Sequence, residues 1–127
     1  MRLINSPDIA PALGPYSHAV IDGDHIYCSG QLPLDPQGRL VSGGVAEQTN
    51  QAFKNIREVL EACGSDTHGV LKVTVYMTDL GEFATLNELY AKFFGTHRPA
   101  RTTVQISKLP LGASVEIDVI AKILNAG

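Results

Sequence analysis

The sequence contains no tryptophan, and only 6% of its 127 residues are aromatic. It also has no cluster of lysine or arginine residues, and its net charge is −3 at pH 7. Nucleic-acid binding requires a basic surface, so this charge argues against DNA or RNA as a partner. No hydrophobic run reaches the length of a transmembrane helix, which argues against a membrane partner.

The chain is also poor in cysteine and in targeting signals. Its first residues have neither the apolar segment of a secretory signal nor the pattern of a transit peptide. Cys28 alternates with Ile26 as in a strand, and Cys63 continues an apolar helix stripe. Both are therefore expected to be buried thiols in a reducing compartment, and we expect a cytoplasmic protein. The four histidines lack paired ligand spacing, so no metal site is predicted.

The composition that remains is that of an ordinary soluble globular protein. Hydrophobic residues make up 44% of the chain and charged residues 18%. A length of 127 residues predicts one domain, residues 1–127, without linker or internal repeat.

The spacing of apolar residues predicts two helices and several strands. One helix is expected over about Val45–Ala62, and a second through "EFATLNELYAKFFG", ending at Gly95. Alternation predicts a strand around Leu3, a hairpin turning at Asp22–Asp24, and strands within "VLKVTVYMTD", "ARTTVQ" and "SVEIDVIAKI". The "VLKVTVYMTD" strand would bury one face, formed by Leu71, Val73, Val75 and Met77.

This order of elements predicts an α+β fold in which two helices cover one face of a sheet. The last two strands are joined by a bend of about seven residues, which favours an antiparallel pair. In such a pair Glu116 would lie opposite or diagonal to Thr103, within reach of Arg101. A guanidinium suits a carboxylate, either that of Glu116 or that of a ligand. A solvated cross-strand ion pair, worth about 0.2–1 kcal/mol, is the alternative.

Four segments together resemble one family. They are "GPYSHAV", "CSGQLPLDPQG", "FATLNELYAKFF" and "RPARTTVQISKLPLGASVEIDVIA", in this order and at these spacings. The chain resembles the Rid (YjgF) family, the reactive-intermediate deaminases, and specifically its RidA-type branch. The resemblance implies a chorismate-mutase-like α+β fold with an antiparallel-rich mixed sheet. It also implies a homotrimer whose active sites are clefts between subunits.

The resemblance further implies an activity that uses neither a metal nor an organic cofactor. Members hydrolyse 2-imino acids and their enamines, such as 2-aminoacrylate/2-iminopropanoate and 2-iminobutanoate, to 2-oxo acids and ammonia. By similarity, Arg101 would hold the substrate carboxylate and Glu116 would activate the attacking water. Ser29 and Gly30 would contact the substrate through a hydroxyl and the backbone.

Three further positions are carried over with alternatives. Tyr16 matches a pocket tyrosine, but it could equally close a loop over the core. Asn87 matches an asparagine near the cleft, but it could face solvent on its helix. Thr103 stands where many relatives have a cysteine, so a thiol role is excluded there, and a backbone group or the hydroxyl would bind substrate instead.

A second function remains open at this stage. A trimeric protein that binds small carboxylates without turnover, or regulates through them, would need Arg101 but would not need Glu116.

Overall fold

The computed structural model describes residues 1–124. It contains six strands, two α-helices and three short 3₁₀ turns. The strands are β1 (Arg2–Ile4), β2 (Ala19–Asp22), β3 (His25–Cys28), β4 (Val70–Met77), β5 (Ala100–Gln105) and β6 (Val115–Lys122). The helices are α1 (Val45–Ala62) and α2 (Phe83–Phe94), and the 3₁₀ turns are Thr67–Gly69, Leu80–Glu82 and Pro110–Gly112.

The strands form one mixed sheet in the order β1-β2-β3-β6-β4-β5. Only β4 and β5 run parallel, and every other neighbouring pair is antiparallel. Both helices pack on one face, and the core lies between them and the sheet. The predicted α+β class is therefore confirmed. Among residues 1–124, no helix is both long enough and apolar enough to cross a membrane.

Most of the predicted elements are confirmed. Helix α1 has the predicted bounds, and α2 ends before Gly95, whose φ of 64° is left-handed. The β2–β3 hairpin turns through Gly23, which also has a positive φ of 63°. Cys28 and Cys63 are both buried and free.

One face assignment is wrong at Leu71. Strand β4 has a bulge between Val70 and Lys72, where its register against β6 shifts. A bulge inserts a residue and reverses the alternation beyond it. As a result Val70 is buried and Leu71 is exposed, while Val73, Val75 and Met77 face the core as predicted.

The predicted pairing of the last two strands is also wrong. Helix α2 carries the chain across the sheet, so β5 returns parallel to β4 at the sheet edge. The bend after β5 then passes the end of β4, where Ile106 N–H donates to the Met77 carbonyl and Thr78 N–H to the Ser114 carbonyl. Strand β6 consequently pairs with the other side of β4. It runs antiparallel to β5, but β4 lies between them.

Helix α1 fixes two loops through buried polar side chains. The Asn55 amide donates to the carbonyls of Leu32 and Leu34, both at 3.0 Å. The Gln48 side-chain oxygen accepts a 2.7 Å hydrogen bond from the Ser114 backbone, directly before β6. These bonds attach the loop after β3 and the start of β6 to the same helix.

The substitution Asn55→Ala should destabilise the fold. It removes the partner of two buried carbonyls, so we expect the free energy of unfolding to fall by about 1–3 kcal/mol. Urea unfolding measures this change, and Asn50→Ala, at an exposed position of the same helix, is the matched control. Equal stability of the two variants would contradict the role given to Asn55.

Candidate active site

Arg101 and Glu116 lie on opposite faces of the sheet. In the parallel register Arg101 pairs with Val73, whose side chain is in the core, so Arg101 lies on the helix side. In the antiparallel register Glu116 pairs with Tyr76, which lies on the face away from the helices. The predicted meeting of Arg101, Thr103 and Glu116 within one chain is therefore wrong. The cause is the position of β4 between the two strands.

The arginine half-site consists of Arg101, Thr103, Asn87 and the two aromatic residues Phe83 and Tyr90. The guanidinium carbon of Arg101 lies 4.7 Å from the Tyr90 ring centroid and 5.4 Å from that of Phe83. Asn87 lies four residues after Phe83 and three before Tyr90, which is the same face of α2. Within residues 1–124 no carboxylate lies within 4 Å of the guanidinium.

Two hydroxyl groups of this half-site are buried without a hydrogen-bond partner among the described residues. They belong to Tyr90 and Thr103. Burial raises the pKa of Tyr90, and the positive charge of Arg101 acts in the opposite direction. A buried hydroxyl without a partner costs about 1–3 kcal/mol.

The acid half-site consists of Glu116, Gly30, Ser29 and Tyr16. Strand β3 pairs Tyr27 with Ile120, but the next contact of this segment pairs Gln31 with Ile117. The segment therefore has one residue more than β6 between these contacts, which makes a bulge at Ser29–Gly30. A Cβ atom on Gly30 would lie 2.7 Å from Oε2 of Glu116, so a larger residue there would require the carboxylate to move.

The other members of the acid half-site are held by the segment before β2. The Ser29 hydroxyl donates to the Ser17 carbonyl at 2.6 Å, and Ser29 N–H donates to the carbonyl of His18. The Tyr16 hydroxyl accepts a 3.3 Å hydrogen bond from Leu13 N–H, and its ring is half exposed. Tyr16 thus closes its own loop, and it also lines a cavity together with Gly30. Both alternatives for Tyr16 have a structural basis.

Glu116 is half-buried, and the pKa of its carboxyl group is raised above the ordinary value. Burial raises its pKa, and the negative charge of Asp118, two residues along the same face, raises it further. Burial likewise raises the pKa of Asp118, while the hydroxyls of Tyr76 and Thr74 and the charge of Lys72 act against that shift. A carboxylate with a raised pKa is a stronger base than an ordinary carboxylate, and its protonated form can return the proton to a leaving group.

A small cavity lies beside part of the acid half-site. Tyr16 and Gly30 line it, but Glu116 and Ser29 do not, and its volume of about 20 Å³ is room for about one water molecule. Among residues 1–124 no three His, Cys, Asp or Glu side chains are grouped so that they could hold a metal ion.

Sequence patterns missed two residues of the arginine half-site and one acidic neighbour of Glu116. Tyr90 and Phe83 fit the apolar stripe of α2, and nothing in that stripe indicates an arginine above it. Asp118 belongs to the polar face of β6 and could have been found, because residues two apart on a strand share a face.

Solved structures of the same fold define the structural class. RidA from the Antarctic bacterium Psychrobacter sp. matches with a TM-score of 0.93 and 39% identity, over 97% of this chain and all of that chain (100%). Escherichia coli TdcF with bound serine matches with a TM-score of 0.91 and 34% identity, over 96% of this chain and 98% of that chain. The chain is thus a small α+β protein of the class that these structures represent.

Sequence comparisons define the family. A family model described as Endoribonuclease L-PSP matches residues 7–123. The human 2-iminobutanoate/2-iminopropanoate deaminase is 46% identical over 121 residues, which is 94% of this chain and 88% of the relative. A RutC family protein of Pyrococcus horikoshii is 44% identical over 110 residues, 86% of this chain and 87% of the relative. The chain belongs to the Rid (YjgF) family, as its four segments predict.

The substitution Gly30→Ala should displace Glu116. The added methyl group would overlap the carboxylate, which is the end of a flexible side chain and has to move away. A crystal structure of the variant should show the Glu116 carboxylate displaced from its position in the parent protein. Gly44→Ala is the control, because a Cβ there meets only an atom at 4.0 Å. An unmoved carboxylate would refute the close approach.

The substitution Asp118→Asn should lower the pKa of Glu116. Removing the neighbouring negative charge lowers the cost of ionising Glu116, so the carboxyl would lose its proton at lower pH. Carboxyl ¹³C NMR titration measures this directly, with Glu61→Gln on the exposed end of α1 as the control. An unchanged or raised pKa would exclude coupling between the two acids.

Proposed function

We propose that this protein is a 2-iminobutanoate/2-iminopropanoate deaminase, which hydrolyses small 2-imino acids to 2-oxo acids and ammonia without a cofactor. The observation that carries the proposal is that two residues have complementary chemical properties. Arg101 is a half-buried cation with no acid partner within 4 Å in residues 1–124, and Glu116 is an acid with a raised pKa. Relatives that are named for this activity support the proposal, among them the human deaminase, which is 46% identical to this chain.

The proposed reaction begins with the carboxylate of the substrate on the guanidinium of Arg101. Two parallel N–H···O bonds would fix the plane of the substrate and the position of its C=N carbon. Water attacks the carbon of the protonated imine (C=NH₂⁺) while Glu116 accepts a proton from the water, giving a neutral tetrahedral intermediate that carries a hydroxyl and an amino group. Glu116 then returns this proton to the nitrogen, and the C–N bond breaks as the hydroxyl oxygen forms the carbonyl group. The hydroxyl proton passes to the leaving ammonia, so that a 2-oxo acid and an ammonium ion form.

We further propose that each site forms between two copies of the chain. Arg101 and Glu116 occupy opposite faces of one sheet, so one protomer does not bring both side chains to one small molecule. The arginine half-site of one protomer would therefore meet the acid half-site of the next. Contacts of this head-to-tail kind close into rings, and a homotrimer with three interface sites fits this arrangement.

The face of the sheet away from the helices supports self-association. Its strands present apolar side chains that are still exposed in one protomer, among them Leu3 (62% exposed), Tyr27 (47%) and Val104 (36%). Patches of this kind mark interaction surfaces. Glu116 lies on this face, so a second copy of the chain that covers the face would also enclose the acid half-site.

Two single variants and their mixture test this proposal. Arg101→Ala should lose substrate binding, and Glu116→Gln should lower the rate by about 10²–10⁴-fold while retaining oxo-acid binding. The assay couples a PLP-dependent dehydratase and threonine to oxo-acid formation. Turnover by Arg101→Ala at the parent rate would refute the assignment. A parent protein that binds 2-oxobutanoate without turnover would instead be the non-catalytic carboxylate-binding protein.

Mixing the two inactive variants tests the shared site. After unfolding together and refolding, random assembly should join an intact arginine to an intact glutamate at about one interface in four. About a quarter of the parent activity should therefore return. Each variant refolded alone is the control and should stay inactive. If the mixture refolds into assemblies but recovers no activity, a site shared between protomers is contradicted.

A further inference from the structure

Among residues 1–124, aromatic rings contact Arg101 and no carboxylate lies within 4 Å of its guanidinium. Its guanidinium carbon lies within about 6 Å of both ring centroids, the range in which a cation is attracted to a ring. Contact with ring faces uses none of the N–H donors of the guanidinium. The donors that could grip a carboxylate in a bidentate way therefore remain free.

The core fixes the Tyr90 ring. Tyr90 is only 7% exposed, and it packs edge-on against Phe53 with ring centroids 5.9 Å apart. Its ring also contacts that of Phe94, at 4.7 Å between centroids. Aromatic packing of this kind leaves the ring little freedom, so it offers the guanidinium a constant surface.

The start of α2 fixes Phe83. The preceding 3₁₀ turn is closed by Asp79, whose Oδ1 accepts a 2.8 Å hydrogen bond from Gly81 N–H. Gln105 ties the same turn to β5, because its side-chain oxygen accepts a 2.8 Å hydrogen bond from Leu80 N–H. Gln105 shares the face of β5 that carries Arg101. One strand thus positions both the arginine and the ring above it.

We propose that Phe83 and Tyr90 are positioning residues that hold the Arg101 guanidinium ready for the substrate carboxylate. The inference rests on the proposed function, because it concerns the carboxylate-binding step of that site. A free arginine side chain loses rotamer freedom when it binds a ligand. The two rings restrict it beforehand, so less entropy is lost on binding and the affinity rises.

Phe83 offers the clean test, because it is 39% exposed and its replacement leaves the core intact. Phe83→Leu removes the ring but keeps an apolar side chain, and Phe83→Tyr keeps the ring. Leu80→Ala is the matched control, at an equally exposed apolar position (39%) three residues earlier. Calorimetry with 2-oxobutanoate measures carboxylate binding, and the dehydratase-coupled assay measures kcat and KM.

We expect Phe83→Leu to weaken 2-oxobutanoate binding roughly two- to five-fold and to raise KM by a similar factor, with kcat nearly unchanged. The ¹⁵Nε resonance of Arg101, assigned by its loss in Arg101→Lys, should shift because a ring current is removed. Phe83→Tyr and Leu80→Ala should behave as the parent does. This split between KM and kcat, together with rescue by tyrosine, separates positioning from a general loss of structure.

The outcomes also separate this inference from the proposed function. Parent-like affinity and KM in Phe83→Leu would overturn the inference and leave the deaminase assignment standing, as would equal weakening in Phe83→Tyr. Weaker binding in Phe83→Leu, in a parent protein without turnover, would support the inference and overturn the assignment. A parent protein that does not bind 2-oxobutanoate would overturn both.

Discussion

The placement of β4 between β5 and β6 is the constraint on which the site depends. Side chains of paired residues share a face of the sheet, so the registers of β4 with its two neighbours determine where Arg101 and Glu116 point. Arg101 pairs with a core valine and lies under α2, whereas Glu116 pairs with Tyr76 on the other face. One protomer consequently carries two half-sites that cannot meet around one small molecule.

The two half-sites differ in the charged group that each of them carries. Arg101 is a cation, and the aromatic rings that contact it do not neutralise its charge. Glu116 is half-buried beside a second acid, and both causes favour its neutral form. A permanent cation can anchor a carboxylate, while a carboxyl with a raised pKa can move protons. The proposed hydrolysis of an imine needs one group of each kind.

Several irregular features of the fold support the acid half-site. The bulge at Ser29–Gly30 brings backbone against Glu116, and a Cβ atom on Gly30 would displace the carboxylate. Buried polar side chains of α1 hold the neighbouring loops, since Asn55 binds the segment after β3 and Gln48 binds the residue before β6. Bulges and buried polar contacts reduce regularity, but they place backbone and side chains at positions that a regular sheet does not offer.

The sequence alone determined the helices, the strands, the α+β class and the family. These follow from local periodicity, from turn residues such as Gly23 and from the four matching segments. It could not determine which strands become neighbours, because the crossover through α2 and the bend after β5 allow more than one partner for β6. Only the tertiary structure decided that β4 separates Arg101 from Glu116, that a bulge exposes Leu71, and that Phe83 and Tyr90 lie against the arginine. The alternation of side chains along a strand predicts which residues share a face of that strand. Contacts between elements depend instead on how the whole chain packs.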